Sequence, residues 1–268
     1  MKKYLLLVVL IGVMLFPSIS YAENESILSM EELSIQIMPE YTYHPNDKKK
    51  DHPPLLIGYQ GTMVNNSDEP QKGQIEIALP MNHKNFRIGY VADYSANLQK
   101  AYEIEYSIDR EKGTISWTTS EEIKAKDRYK FVIEFYTDDI KVNGKKKSLT
   151  YDFTSFADIA LVNVSFIQPF KAKNMELTPA PVEEQNHSEG NKTVSYLFQG
   201  VKVGETKSFT LNYLRSESKP TVEVEQASTT KKKENQQSPY LTIGVVSGIS
   251  VLAFGTFLLV RRNRKKQQ

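Results

Sequence analysis

The residues best equipped for chemistry are three of the four histidines. His44 and His52 flank Asp47 and Asp51 in the run YHPNDKKKDHPP, and His83, Met38 and Met81 add further donors. Imidazole suits copper and zinc, and thioether suits reduced copper, so His44, His52 and His83 are the candidate metal ligands. Two features oppose a metal. Lys48-Lys49-Lys50 places positive charge in the same loop, and the spacing follows no recurrent ligand pattern. The plainer expectation is an exposed loop between the first two strands.

Nucleophilic and acid–base chemistry find less support. The chain has no cysteine, which removes disulfides, thiolate chemistry and Cys-ligated zinc together. GxSxG, HExxH and a phosphate-cradling glycine loop are all missing from the sequence. Ser216-Glu217-Ser218-Lys219 spells SxxK, but that motif works from a helix inside an α/β core, and this copy opens a polar stretch. Glu31-Glu32, Glu121-Glu122 and Glu183-Glu184 are adjacent pairs, whose side chains point to opposite faces of a strand. The expectation is a non-catalytic protein without a cofactor. The alternatives are metal handling at the three histidines or, less well supported, an envelope hydrolase built from carboxylates distant in sequence.

Binding is the remaining chemistry. Sugar-binding sandwiches present Trp and Tyr as stacking platforms, and this chain has 15 Tyr but a single Trp, Trp117. Trp117 shares a strand face with Ile115, which favours a place in the core. Tyr90, Tyr94 and Trp117 are the candidate partner or sugar surface, with Tyr102, Tyr106, Tyr129 and Tyr136 also within or beside strands. Such tyrosines suit protein docking at a sheet edge somewhat better than sugar stacking.

The elements that must position these residues alternate apolar and polar side chains with period two. Leu33 to Ile37, Tyr102 to Ile108 and Arg128 to Thr137 are the clearest cases. Further strands are expected over 56–64, 74–79, 86–92, 114–119, 148–153, 159–168, 193–198 and 206–214, with turns at residues 65–68, 109–113, 143–144, 189–191 and 204–205. Tyr102 to Thr119 reads as one hairpin. The fold class is therefore all-β, an antiparallel β-sandwich ectodomain. It is either one large or two small immunoglobulin-like sandwiches, the preferred division being 23–144 and 145–215, with the second part otherwise completing the first.

Around this ectodomain lie two apolar segments. Residues 1–22 read as a signal peptide, with Lys2 and Lys3 ahead of an apolar run and Ser20-Tyr21-Ala22 as the cleavage site. Residues 216–239 are polar and carry Lys231-Lys232-Lys233, the composition of a disordered tether. Residues 240–260, opening at Tyr240, hold no charge, and about 20 such residues span a bilayer as a helix. The tail 261–268 is basic through Arg261, Arg262, Arg264, Lys265 and Lys266, which places it in the cytoplasm. The expected location is the cell membrane, single-pass, with the ectodomain on the outer face. Gly244 and Gly248 form a GxxxG pair through which two spans could self-associate. Net charge is only +2, too little for a dedicated nucleic-acid binder. The span and basic tail resemble the sorting signals of wall-anchored Gram-positive proteins, but Gln237-Ser238-Pro239-Tyr240-Leu241-Thr242 does not match the LPxTG-like pentapeptide such signals need.

Four short stretches carry a further resemblance: Ile37-Met38-Pro39-Glu40-Tyr41, Gly58-Tyr59-Gln60-Gly61-Thr62, Glu134-Phe135-Tyr136, and Gln168-Pro169-Phe170 with Ala172. Over most of the ectodomain the chain is similar to a family of single-pass extracytoplasmic β-sandwich proteins of Gram-positive bacteria. That resemblance implies the fold and the compartment and carries no catalytic residue. The expected function is a membrane-anchored binding or accessory module that docks an envelope protein or wall partner.

Overall fold

A computed structural model describes residues 27–47, 52–95, 97, 100–181, 183–186 and 192–225. The expected signal peptide, the tether beyond Glu225, the span containing Tyr240, Gly244 and Gly248, and the tail with Arg261, Arg262 and Arg264 lie outside the described residues. Among the described residues no helix is long and apolar enough to cross a membrane.

The chain is all-β. Its strands are β1 (Leu28–Pro39), β2 (Leu55–Asn65), β3 (Gln74–Ala78), β4 (Arg87–Tyr94), β5 (Ala101–Glu103), β6 (Ser107–Asp109), β7 (Thr114–Thr118), β8 (Arg128–Thr137), β9 (Lys141–Asn143), β10 (Lys146–Thr154), β11 (Ile159–Ile167), β12 (Lys173–Thr178), β13 (Glu183–Asn186), β14 (Lys192–Val201) and β15 (Thr206–Leu214). Eight of them form one sheet in the order β13-β14-β11-β1-β2-β8-β4-β5. Against one face of it pack a four-stranded sheet, β12-β15-β10-β9, and a three-stranded sheet, β3-β7-β6.

The alternation explains the layering. Leu33, Ile35 and Ile37 of β1, Tyr59 of β2, Phe131, Ile133 and Phe135 of β8, and Val162, Val164 and Phe166 of β11 are all buried on the same side. They meet the opposite layer through aromatic contacts: Tyr59 with Phe153 of β10, Phe131 with Trp117 of β7, and Phe166 with Phe209 of β15. This is the two-layer packing that covers an apolar sheet face.

Several features differ from the sequence expectations. β1 and β11 pair in parallel, so the large sheet is not wholly antiparallel. Nine strands separate them along the chain, so no hairpin fixes their relative direction. The boundary expected at Gly144 falls in the turn between β9 and β10, which pair with each other. Residues on both sides of it share the eight-stranded and four-stranded sheets. The expected strand Tyr102 to Ile108 is broken: β5 pairs with β4 in the large sheet, and β6 pairs with β7 in the three-stranded one. Only the β6–β7 part of that hairpin forms.

Residues 216–225, assigned by composition to the tether, pack as part of the fold. The Arg215 side chain is fully buried and donates from Nε to Phe170 O, from Nη1 to Glu217 O and from Nη2 to Lys219 O. Thr221 N and Val222 N donate to Glu40 O and Tyr41 O as a helical turn forms over 221–225. Glu40, fully buried with φ 51°, holds this end together. Its Oε1 lies 3.3 Å from Lys147 Nζ and 3.4 Å from Arg215 Nη1, without hydrogen-bond geometry to either, and Oε2 accepts from Tyr213 OH at 2.9 Å. The fastening is polar, which is why an apolar-periodicity argument misses it.

Candidate functional site

The face of the eight-stranded sheet turned away from the core supplies the site. Register places Tyr90 of β4 opposite Glu134 of β8, Glu134 opposite Gly58 of β2, and Gly58 opposite Gln36 of β1. Because side chains alternate along a strand, these four positions share the outer face with Tyr136, two residues beyond Glu134. Tyr41, just past β1, packs with Ile167 on a small apolar cluster of Met38, Leu56 and Tyr136. Glu134 lies one row further along, where that cover ends.

Two glycines shape this region. A Cβ at Gly58 would make only ordinary contacts, with Met38 Cε at 3.6 Å and Gln36 Cβ at 4.0 Å, so a small side chain would meet no clash there. At Gly89 a Cβ would stand 2.5 Å from Tyr136 Cε2. The register of β4 shifts between Ile88 and Tyr90, a bulge that bends the strand and lets the Tyr136 ring lie against Gly89.

The electrostatics are unusual for an outer face. Among the described residues the Glu134 carboxylate has no hydrogen bond and no ion pair, and burial raises its pKa above the ordinary glutamate value. Burial also raises three phenols: Tyr136 to about 12 with the Glu134 charge adding to it, and Tyr41 and Tyr90 in the same direction, where the charges of Glu225 and Glu103 respectively add more than that of Glu134. Nearby cations are engaged. Arg87 pairs with Asp47 and Asp138 and stands 5.6 Å over the Tyr136 ring. Lys130, on the same face of β8, interacts with Glu32.

The expected site residues separate. Tyr90 is half-buried on this face, and Tyr94, four residues on, is buried. Trp117 belongs to the core and not to a binding surface. It is 2 % exposed, its Nε1 donates to Tyr129 OH at 2.7 Å, and Tyr129 donates to buried Asp93 at 3.0 Å. Asp93 also accepts from Ser120 N and Oγ.

The histidines do not converge. His44 Nδ1 accepts from Asn46 N at 3.1 Å, which leaves Nε2–H to donate to Ile88 O at 2.9 Å, so both nitrogens are occupied. The His44 ring stands edge-on to Tyr136, bracing the site described above. His52 Nδ1 bonds Pro53 O, and His83 Nδ1 bonds Asp139 Oδ2 at 2.7 Å. Among the described residues no three His, Asp or Glu side chains are grouped to hold a metal ion. Of the acidic pairs, Glu121 and Glu122, with Asp127, line a depression of about 10 Å³, room for one water.

Compared with protein-family models and with curated proteins, the chain matches none. The site is thus read from its geometry. Three of the four stretches that carry the family resemblance contribute to it: Met38 and Tyr41, Gly58, and Glu134 with Tyr136. The fourth, through Phe170 O, receives Arg215. Glu134 is not among the expected site residues, although it is a lone charge inside the apolar run FVIEFY.

Proposed function

We propose that the protein is a membrane-anchored, extracytoplasmic docking module without catalytic activity, and that it meets an envelope protein through the outer face of its eight-stranded sheet around Glu134. In this reading residues 1–22 direct export, residues 240–260 span the membrane as a helix, and the basic tail stays in the cytoplasm, with Gly244 and Gly248 available for pairing of two spans. The sequence pattern of the two apolar segments supports the location. One observation carries the docking face: a half-buried carboxylate beside tyrosines, at the edge of the apolar cover on the sheet's outer face, has neither cation nor donor among the described residues. Tyrosine-rich, partly desolvated patches are typical of protein interfaces.

Site-specific photo-crosslinkers in intact cells test this. Groups placed at Gln60 and Tyr90 report on the outer face of the large sheet, and groups at Thr150 and Asn212 report on the outer face of the four-stranded sheet. One discrete crosslinked product from Gln60 and Tyr90, absent from Thr150 and Asn212, is expected. Equal products from both faces, or none from the first, would reject the docking face.

A further inference from the structure

We propose that the docking face takes a cationic side chain, an ammonium or guanidinium presented by a partner segment, paired with Glu134 beside the ring of Tyr90. The proposal rests on the docking reading above and adds the chemistry of the contact.

Charge matching is the first argument. The other carboxylates of low exposure around this part of the fold are already matched. Glu40 faces Lys147 and Arg215, Asp47 and Asp138 share Arg87, and Asp139 holds His83. Asp93, deeper in the core, accepts three hydrogen bonds. Glu134 stands apart, with no such partner among the described residues. A desolvated charge left unpaired costs free energy that an incoming cation recovers.

The surroundings select the kind of cation. Tyr90, half-buried and opposite Glu134 in register, offers a phenol ring to an organic cation, guanidinium and ammonium alike, whereas Arg87 already stands over Tyr136. Gly58 puts no side chain beside the carboxylate, and Gln36 lies across from it in register. An anionic ligand would meet the Glu134 charge directly. A neutral sugar would leave the carboxylate without its counterion.

The test uses the segment ending at Glu225, which contains the complete core, with methylguanidinium as probe and N-methylurea as its neutral counterpart. Glu134 carboxyl and Tyr90 ring resonances are followed by NMR. Methylguanidinium is expected to shift both saturably, and N-methylurea to act about tenfold more weakly or not at all. Glu134→Gln, a near-isosteric change, is expected to weaken methylguanidinium about tenfold while the fold is retained. An equal response to both probes, a response untouched by Glu134→Gln, or no saturable shift would overturn the proposal. Loss of probe binding when the chain is extended through residue 239 would assign the cleft to the protein's own Lys231-Lys232-Lys233 and overturn it as well. The two ideas fail separately: a crosslinked partner without cation preference removes only the chemistry, and cation preference without a crosslinked partner removes only the docking.

Discussion

Tyr59 and Tyr151 share a single hydrogen bond, hydroxyl to hydroxyl at 2.9 Å, inside the sandwich. Tyr59 comes from β2 in the large sheet and Tyr151 from β10 in the opposite layer, so one polar contact joins the halves of the chain on either side of Gly144. Both side chains are buried, and burial pushes the Tyr59 phenol up to about 12.

Replacing either tyrosine by Phe leaves the other hydroxyl without its partner. Each single variant is expected to lose about 1–3 kcal/mol, and the double variant clearly less than the sum. Urea unfolding of the four proteins measures the coupling. Strict additivity would mean that the hydroxyls do not depend on each other.

Arg215 fastens the segment leading out of the sandwich. Arg215→Met removes the guanidinium from Glu40 and from three carbonyl groups, and breaking a buried pair in this way is expected to cost about 3–5 kcal/mol. Limited proteolysis should then cut within residues 216–225, where the parent resists. Unchanged protection would show that the helical turn is held by other contacts.

Glu134 gives a pH signature. Its folded pKa is raised, so its contribution to stability is complete below the unfolded value, about 4.3, and is lost as pH rises through the folded value. At neutral pH the ionised carboxylate is a cost. Glu134→Gln is expected to melt above the parent at pH 7, with the gap closing below about pH 4. A lower melting temperature at pH 7 would indicate a stabilising partner for Glu134 within the chain.

His83 also titrates above its ordinary value, but here the ionised form is the one the fold favours. The hydrogen bond that His83 donates to Asp139 raises its pKa against the opposing effect of burial. The pair therefore stabilises the fold fully below the unfolded histidine value, about 6.5, and the gain disappears as pH rises through the raised value. His83→Gln should cost about 0.5–1 kcal/mol at pH 6 and little at pH 9, as read from melting curves. An equal loss at both pH values would assign His83 a packing role.

Period-two patterning finds the inner strands because their two faces meet different surroundings. It misses β9, β12 and β13, which are edge strands of their sheets. Lys141, Val142 and Asn143 are exposed throughout β9, so no alternation is written there. Trp117 was legible as a core residue from its shared face with Ile115. The buried group of Glu40, Lys147, Tyr213 and Arg215 was not, because residues far apart in sequence meet only once β1, β10 and β15 are in place. The same limit hides the site: Tyr90, Glu134, Gly58 and Gln36 line up only through the register of four strands.

The central claim, that the sheet face around Glu134 docks a partner, is tested most directly by filling that face. Gly58→Leu places its Cβ in ordinary contact with Met38 and Gln36 and carries the rest of the side chain over the outer face; the fold is expected to persist, with a melting temperature within about 4 °C of the parent. With a photo-crosslinker at Gln60 in intact cells, the crosslinked product is predicted to disappear in the Gly58→Leu protein. An undiminished yield from a correctly folded variant would contradict the account.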